Sequence, residues 1–149
     1  MNQIVIADAS PLIVLQNIDR LSLLQNLFDE ILITPEIKSE FGLDLPDWVK
    51  VAEVQDETKQ RLLNLNLDKG EASAIALCLE NAESLLIIDE RKGRRIAKDL
   101  GLKFVGTLGV ILKAKEKGLI DSTEKILESL ENANFHISEN LKSQILEND

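Results

Sequence analysis

Cysteine, aromatic residues and long apolar runs are all scarce in this sequence of 149 residues. The one cysteine, Cys78, has no partner for an intramolecular disulfide, which favours a reducing compartment and leads us to expect a cytoplasmic protein. Because Cys78 lies in an apolar helical run, we expect a buried, unreactive thiol. No apolar run reaches the roughly 20 residues that span a bilayer, so no membrane partner is expected. Aromatic residues make up 3% of the chain, and an aliphatic core is therefore predicted.

Acidic residues outnumber basic ones, by 26 to 17, and the formal net charge is −9. This balance is unfavourable for a protein that coats nucleic acid through its phosphates, because such binding needs lysine and arginine. It does not exclude a nuclease, since a metal ion can neutralise a cluster of carboxylates. The length and the 44% hydrophobic fraction are typical of one folded domain, which we predict to span residues 1–149.

Short apolar runs alternate with longer helical stretches along the chain. Predicted strands cover residues 3–7, 31–33, 48–54, 84–88 and 103–106. Predicted helices cover residues 11–16, 21–28, 35–42, 56–64, 71–80, 91–100 and 107–117, with further helices from about 121. Such alternation indicates parallel strands joined by right-handed crossovers. Nearly unbroken Ile, Leu and Val in the strands indicate an α/β fold whose sheet is covered on both faces.

Several helix boundaries are predicted from local signals. Thr34 before Pro35 is typical of an N-cap, and Gly42 is expected to end the same helix. Lys69-Gly70 is expected to interrupt the helical pattern before the next helix. Thr107 is predicted to cap the helix that it begins, and its hydroxyl offers a polar contact for a substrate at the nearby strand end.

Two predicted strands end directly in acidic residues, namely Asp8 and the pair Asp89-Glu90. Parallel strands place their carboxyl ends at one edge of a sheet, where ligands bind near a switch in strand order. Glu40 and Glu71 lie on predicted helices that can direct carboxylates to the same edge. Clustered carboxylates raise one another's pKa unless a cation is present. Their oxygens suit Mg²⁺ or Mn²⁺, which can promote attack on a phosphodiester.

Each acid also has a structural alternative. Asp8 can cap the following helix, and Glu71 in a first helical turn can complement the helix dipole. Asp89 and Glu90 can do the same for the basic helix that follows them. Taken together at one predicted edge, the acids favour a metal site over separate structural roles.

A basic run, Arg91-Lys92-Gly93-Arg94-Arg95, follows the second acidic strand end. Arg91, Arg94 and Arg95 can contact phosphates beside a metal, or the run can be a solvated helix face. Both interpretations stay open. His136, the one histidine, has no cysteine or second histidine near it in sequence, so a zinc site is not expected there.

Five segments carry a family resemblance, and their order along the chain is preserved. They are Ile-Ala-Asp-Ala-Ser-Pro-Leu-Ile at 6–13, Thr-Pro-Glu-Ile-Lys-Ser-Glu at 34–40, Gly-Glu-Ala-Ser-Ala-Ile-Ala-Leu at 70–77, Leu-Ile-Ile-Asp-Glu-Arg-Lys-Gly-Arg-Arg-Ile-Ala at 86–97 and Gly-Leu-Lys-Phe-Val-Gly-Thr-Leu-Gly-Val-Ile-Leu at 101–112. In these segments the sequence resembles prokaryotic PIN-domain proteins related to the VapC-type toxin nucleases.

The resemblance implies a three-layer α/β/α fold with a parallel five-stranded sheet and a Mg²⁺- or Mn²⁺-dependent endoribonuclease. The implied metal ligands and catalytic acids are Asp8, Glu40, Glu71 and Asp89. Glu90 is an alternative to Asp89 for the last metal position, and Ser10 matches a small polar residue that would lie near the substrate. An RNA substrate, a small antitoxin partner and a homodimer are implied as well.

Two other functions compete with this hypothesis. The first is a catalytically inactive PIN-like module that binds protein or RNA and uses any metal structurally. The second is a metal-dependent phosphatase, which is disfavoured because no Asp-x-Asp pattern follows the first strand.

Overall fold

Five parallel strands form one sheet in the computed structural model, which describes residues 3–147. The strands are Val5–Ala7 (β1), Ile31–Ile33 (β2), Val49–Val51 (β3), Leu85–Ile87 (β4) and Lys103–Val105 (β5). Their order across the sheet is β3-β2-β1-β4-β5, and Ile6 of β1 pairs with Leu32 on one side and Leu86 on the other. The strand order therefore reverses between β1 and β4.

Helices cover both faces of this sheet. They are Ala9–Asn17 (α1), Ser22–Phe28 (α2), Pro35–Phe41 (α3), Glu57–Leu63 (α4), Lys69–Glu80 (α5), Arg91–Asp99 (α6), Thr107–Glu116 (α7), Thr123–Asn132 (α8) and Glu139–Glu147 (α9). Every residue of β1 and β4 is buried. Successive side chains of a strand point to opposite faces, so cover is needed on both. The predicted α/β/α fold with five parallel strands is confirmed.

The helix that starts after Thr34 has the predicted ends. Thr34 Oγ1 accepts a hydrogen bond from the backbone N–H of Ile37 at 3.2 Å. Gly42 follows α3 with a φ of +71°, a left-handed conformation that glycine adopts at no steric cost. These two signals depend on local chemistry alone, which explains why the sequence predicted them correctly.

Two other predicted boundaries are wrong. Gly70 does not interrupt the helical pattern but lies inside the first turn of α5, whose N-cap is Asp68. Asp68 accepts a hydrogen bond from the N–H of Glu71 at 2.8 Å. Thr107 is the first residue of α7, and Gly106 holds the N-cap position before it. Gly70 and Thr107 thus each lie one or two positions further into their helices than predicted.

The core is aliphatic, as predicted. Its larger part surrounds the sheet, and a second cluster joins α2 with α7, α8 and α9. Cys78 is 2% exposed, and burial raises the pKa of its thiol to about 12, so the thiol is inert at neutral pH. Within residues 3–147, no helix combines the length and the apolar character needed to cross a bilayer.

Candidate active site

Asp8 and Asp89 lie at neighbouring strand ends, on the edge of the sheet where the strand order reverses. Ala7 pairs with Ile87 in the last register position of β1 and β4, and the N–H of Asp8 donates to the Ile87 carbonyl at 2.9 Å. Asp89 follows two residues after Ile87. The pairing of the two strands thus brings together two carboxylates that are separated by most of the chain.

Asp8 is buried without losing its electrostatic contact with other acids. Its side chain is 4% exposed, and its pKa is raised to about 7. Burial is the largest cause, and the charges of Asp68, Glu40 and Asp89 raise the pKa further, against a lowering by the Ala9 N–H. Asp8 holds the N-cap position of α1, but within residues 3–147 its side chain accepts no capping hydrogen bond from the N–H groups beyond Ala9. Helix capping alone therefore does not explain why Asp8 is buried.

Among the carboxylates of the site, that of Glu71 is the one whose burial is least compensated by hydrogen bonds. It lies in the first turn of α5, and among residues 3–147 its Oε2 is the one buried side-chain oxygen or nitrogen without a hydrogen-bond partner. Its pKa is raised to about 9, first by burial and then by the carboxylates of Asp68, Glu90 and Asp8. Such an oxygen requires either a proton or a cation to offset the cost of its burial.

Glu40 and Asp68 stand on the outer side of the cluster. Glu40 lies on α3, and its pKa is raised by partial burial and by Asp68, while the Gly70 N–H lowers it. Asp68 raises the pKa of Asp8, Glu40 and Glu71, so it belongs to the cluster although the sequence did not predict it. The Asp68-x-x-Glu71 spacing is a signal for a helix N-cap, and it could have identified Asp68.

Asp89 is held in place by Thr107. The N–H of Thr107 donates to Asp89 Oδ1 at 2.7 Å, and its hydroxyl donates to Oδ2 at 2.5 Å. Thr107 is fully buried. The hydroxyl of Thr107 is thus directed at Asp89 and orients that carboxylate, and its predicted substrate contact stays a prediction.

Glu90 differs from Asp89 although the two are adjacent. Glu90 is exposed and is the N-cap of α6, since its Oε2 accepts from the N–H of Gly93 at 2.7 Å. This hydrogen bond is the main reason why the pKa of Glu90 is lowered. The two acids therefore have different surroundings. The charge of Asp89 raises the pKa of Asp8, whereas Glu90 caps α6 and its carboxylate raises the pKa of Glu71.

The basic residues of α6 divide in the same way. Arg91 and Arg94 line a groove that begins at Asp89, whereas Arg95 is exposed outside the residues that line it. Ser10 is exposed in the first turn of α1, two residues after Asp8. A phosphate contact by Arg91 and Arg94 is therefore consistent with the structure, and those of Arg95 and Ser10 stay predictions.

The chemistry of the cluster fits a hard divalent cation. Its donors are carboxylate oxygens, one of which is buried without a partner, and neighbouring carboxylates raise the pKa of Asp8, Glu40 and Glu71. In the part of the chain from 3 to 147, no group of three or more His, Cys, Asp or Glu side chains is placed so that it could hold a metal ion as it stands. Cation binding would thus involve side-chain adjustment, for which the long side chains of Glu40 and Glu71 provide freedom.

A family model described as a PIN domain matches residues 4–148. The chain belongs to the PIN-domain family. PIN domains are generally nucleases and typically use divalent metals, so membership supports a nuclease-type function and the broad class of hydrolase. A comparison with curated proteins gave no match. The acidic edge between β1 and β4 is accordingly the candidate active site of this PIN domain.

Proposed function

We propose that this PIN domain is a Mg²⁺- or Mn²⁺-dependent endoribonuclease whose metal-binding acids are Asp8, Glu40, Glu71 and Asp89. The observation that carries the proposal is the buried, unpartnered Oε2 of Glu71 beside Asp8. A buried carboxylate oxygen without a partner costs about 1–3 kcal/mol, which a bound cation would recover. Natural selection has little reason to keep such a group for stability alone.

The side chains of this edge would act in distinct ways. Asp8 and Glu71 would hold the cation on the buried side, and Glu40 would complete the outer side next to Asp68. Thr107 fixes the orientation of Asp89, as outer partners of metal ligands commonly do. When bound, a divalent cation supplies positive charge that stabilises the negative charge developing on a phosphodiester.

The geometry also proposes a choice between the two adjacent acids after β4. Both acids accept hydrogen bonds, Asp89 from Thr107 and Glu90 from Gly93, so this does not distinguish them. We propose Asp89 as the metal-binding member because its charge raises the pKa of Asp8. We assign Arg91 and Arg94 to phosphate contacts because they line the groove that begins at Asp89.

The finer parts of the proposal follow from the five matching segments. They include a VapC-type toxin role in the cytoplasm, a small antitoxin that blocks the acidic edge, and a homodimer. Co-expression with the product of a short reading frame directly upstream would test the antitoxin. Suppression of growth inhibition by that product is the expected result.

The central test compares wild type with Asp8→Asn and with Asp121→Asn, an exposed aspartate outside the site. A mixed RNA pool is incubated with each protein in Mg²⁺, in Mn²⁺ and in chelator. Wild type and Asp121→Asn should cleave RNA only with metal, and Asp8→Asn should not cleave it. Equal RNA loss with all three proteins, or no cleavage by any of them, would contradict the nuclease. Metal-dependent thermal stabilisation of wild type without cleavage would instead favour the inactive binding module.

A further inference from the structure

Three glycines lie directly against carboxylates of the acidic edge. A Cβ atom built on each of them would contact the side chain of one acid. The pairs are Gly70 with Glu40, Gly93 with Glu71, and Gly106 with Asp89. The chain has seven glycines, and at the other four no site carboxylate lies within 4 Å of the same position. The acids therefore occupy space that a side chain would otherwise fill.

Gly93 differs from the other two because both of its nearest neighbours are buried. It lies in the first turn of α6, and a Cβ there would be 2.6 Å from Ile88 Cδ1 and 3.0 Å from Glu71 Oε2. Ile88 is fully buried, and Glu71 is 6% exposed. Both distances are shorter than ordinary van der Waals contact. A side chain at position 93 would therefore displace Ile88, Glu71 or α6 itself.

The backbone conformation of Gly93 does not require glycine. Gly93 lies inside α6 and is not among the glycines with positive φ. Within a helix, glycine is less favourable than alanine, because it loses more backbone freedom on folding. Space for the neighbouring side chains is therefore the reason that the structure offers for glycine at this position.

The oxygen that uses this space is Glu71 Oε2, which is buried and has no hydrogen-bond partner among residues 3–147. The N–H of Gly93 does not satisfy it, because this N–H donates to Glu90 Oε2 at 2.7 Å. The carboxylates of Asp68, Glu90 and Asp8 all raise the pKa of Glu71. An oxygen displaced from its place beside Gly93 would thus move among like charges.

We propose that Gly93 is a positioning residue of the acidic edge, because its missing side chain leaves room for the Glu71 carboxylate and keeps Oε2 available to a cation. Gly93 acts through Glu71 and takes no part in the chemistry itself. The inference rests on the proposed function and extends it from the acids to the helix beside them. It also couples two positions: glycine is needed at 93 because residue 71 is a glutamate, and the shorter aspartate would leave room for alanine.

The first experiment isolates the contact with Glu71 from the contact with the core. Ile88→Val removes the Cδ1 atom that a Cβ at position 93 would meet, so Gly93→Ala is made in this background. Isothermal titration measures Mn²⁺ binding. We expect Ile88→Val to bind as wild type does, and Ile88→Val/Gly93→Ala to bind about 10- to 100-fold more weakly, the loss typical for outer partners of metal ligands. Equal affinities of these two proteins would overturn the inference.

Gly109→Ala is the matched control. Gly109 lies in the first turn of α7, and a Cβ there would overlap the aliphatic side chain of Val105 without meeting an acid. Its Mn²⁺ affinity should equal that of wild type. A loss as large as that of Ile88→Val/Gly93→Ala would show that any overlap at a glycine weakens binding, and it would overturn the specific role of Gly93.

The second experiment needs no metal. Melting temperatures in chelator give the effect of Gly93→Ala in the Ile88→Val background, once with Glu71 and once with Glu71→Asp. We expect the shift to be more negative by about 3–8 °C with glutamate than with aspartate, since overlap arises only with the longer side chain. Equal shifts would overturn the coupling. If Ile88→Val/Gly93→Ala does not fold, restored folding with Glu71→Asp would support the inference, and continued failure would overturn it.

The outcomes separate this inference from the proposed function. Metal-dependent RNA cleavage by wild type, together with equal Mn²⁺ affinities of Ile88→Val and Ile88→Val/Gly93→Ala, would overturn the role of Gly93 and leave the nuclease intact. Weaker Mn²⁺ binding by the double variant without RNA cleavage by wild type would support Gly93 and contradict the nuclease. An absence of Mn²⁺ binding by wild type would overturn both.

Discussion

Four acids of the candidate site form two pairs that differ in how well their carboxylates are supplied with hydrogen bonds. Asp8 and Glu71, which we call the buried pair, have strongly raised pKa values. Asp89 and Glu90, the anchored pair, accept hydrogen bonds from Thr107 and Gly93. Both pairs lie at one edge, but among the described residues Glu71 Oε2 is left without a donor, whereas Asp89 and Glu90 each accept a hydrogen bond from a backbone N–H.

This difference indicates a division of labour within the candidate site. The anchored pair is already oriented, so it contributes a fixed frame on which a ligand can dock. The buried pair lowers the stability of the metal-free protein, and on the proposed function a bound cation would recover that loss. A site built only from anchored acids would fold more stably, but it would gain less from binding.

Exchange of one carboxylate in each pair for an amide should give the largest difference between the two pairs. Glu71→Gln should reduce metal-dependent RNA cleavage by at least about 100-fold, because even outer partners of metal ligands cost 10–100-fold when they are lost. Glu90→Gln should retain most of the activity, since the amide oxygen can still cap α6. Rates measured over a range of Mn²⁺ concentrations check this. Equal losses in the two variants would show that the pairs do not differ in function.

Thr107→Val tests whether the anchored pair depends on its anchor. Removal of the hydroxyl leaves Asp89 Oδ2 without its donor, and we expect metal affinity or cleavage to fall by about 10- to 100-fold. Thr107→Ser keeps the hydroxyl and is the matched control. Isothermal titration with Mn²⁺ measures the effect. A Thr107→Val protein that binds metal as wild type does would remove the positioning role of Thr107.

The pH dependence of stability in chelator tests the raised pKa values of the buried pair. The pKa of Glu71 is raised from 4.5 to about 9 and that of Asp8 from 3.8 to about 7, so the folded protein keeps protons that the unfolded chain releases. Their contribution to stability is complete below about pH 4 and is lost as pH rises to about 9. Denaturant midpoints of wild type should therefore fall across this interval.

Glu71→Gln provides the control for this pH effect, since an amide does not titrate. At pH 8 in chelator it should be more stable than wild type by about 1–3 kcal/mol, the cost of one unsatisfied buried group. Its melting temperature should then be higher by roughly 3–8 °C. A lower melting temperature of Glu71→Gln would show that the carboxylate stabilises the metal-free fold.

The smallest effect is expected for Gly70→Ala, which acts on the outer side of the cluster. A Cβ at position 70 would overlap the carboxylate of Glu40, the far end of a flexible and exposed side chain. Stability should change by no more than about 1 kcal/mol, because alanine also favours the helix over glycine. Mn²⁺ affinity should fall by less than in Thr107→Val. A larger fall would assign Glu40 a central rather than peripheral role.

The sequence predicted the features that depend on short stretches of chain. The runs at 3–7 and 84–88 are apolar enough to identify buried strands, and Asp8 and Asp89 interrupt them abruptly. Parallel alternation then implies a shared edge, which the order β2-β1-β4 confirms. Thr34 and Gly42 were also predicted correctly, because a capping hydrogen bond and a left-handed glycine are local events.

Features that depend on packing between distant segments were missed. The capping spacing could have identified Asp68 as an N-cap, but not as a neighbour of Glu40, because that contact arises where α5 packs against α3. The pairing of β5 with β4 brings Thr107 to Asp89, and the hydrogen bonds between them were not predicted. The groove that begins at Asp89 is assembled from residues between positions 89 and 141, which have no common sequence motif.

The strand order also has a consequence for the time at which the site can exist during synthesis. Val5 pairs with Leu85, so the two central strands are 80 residues apart in the chain. Contacts of such long range form late in folding. Because Thr107 must be present to orient Asp89, a growing chain cannot complete the acidic edge until the segment as far as α7 has left the ribosome. On the proposed function, this topology would withhold cleavage of RNA while the chain as far as α7 is being made, and it would spare the messenger RNA and the ribosome during that time.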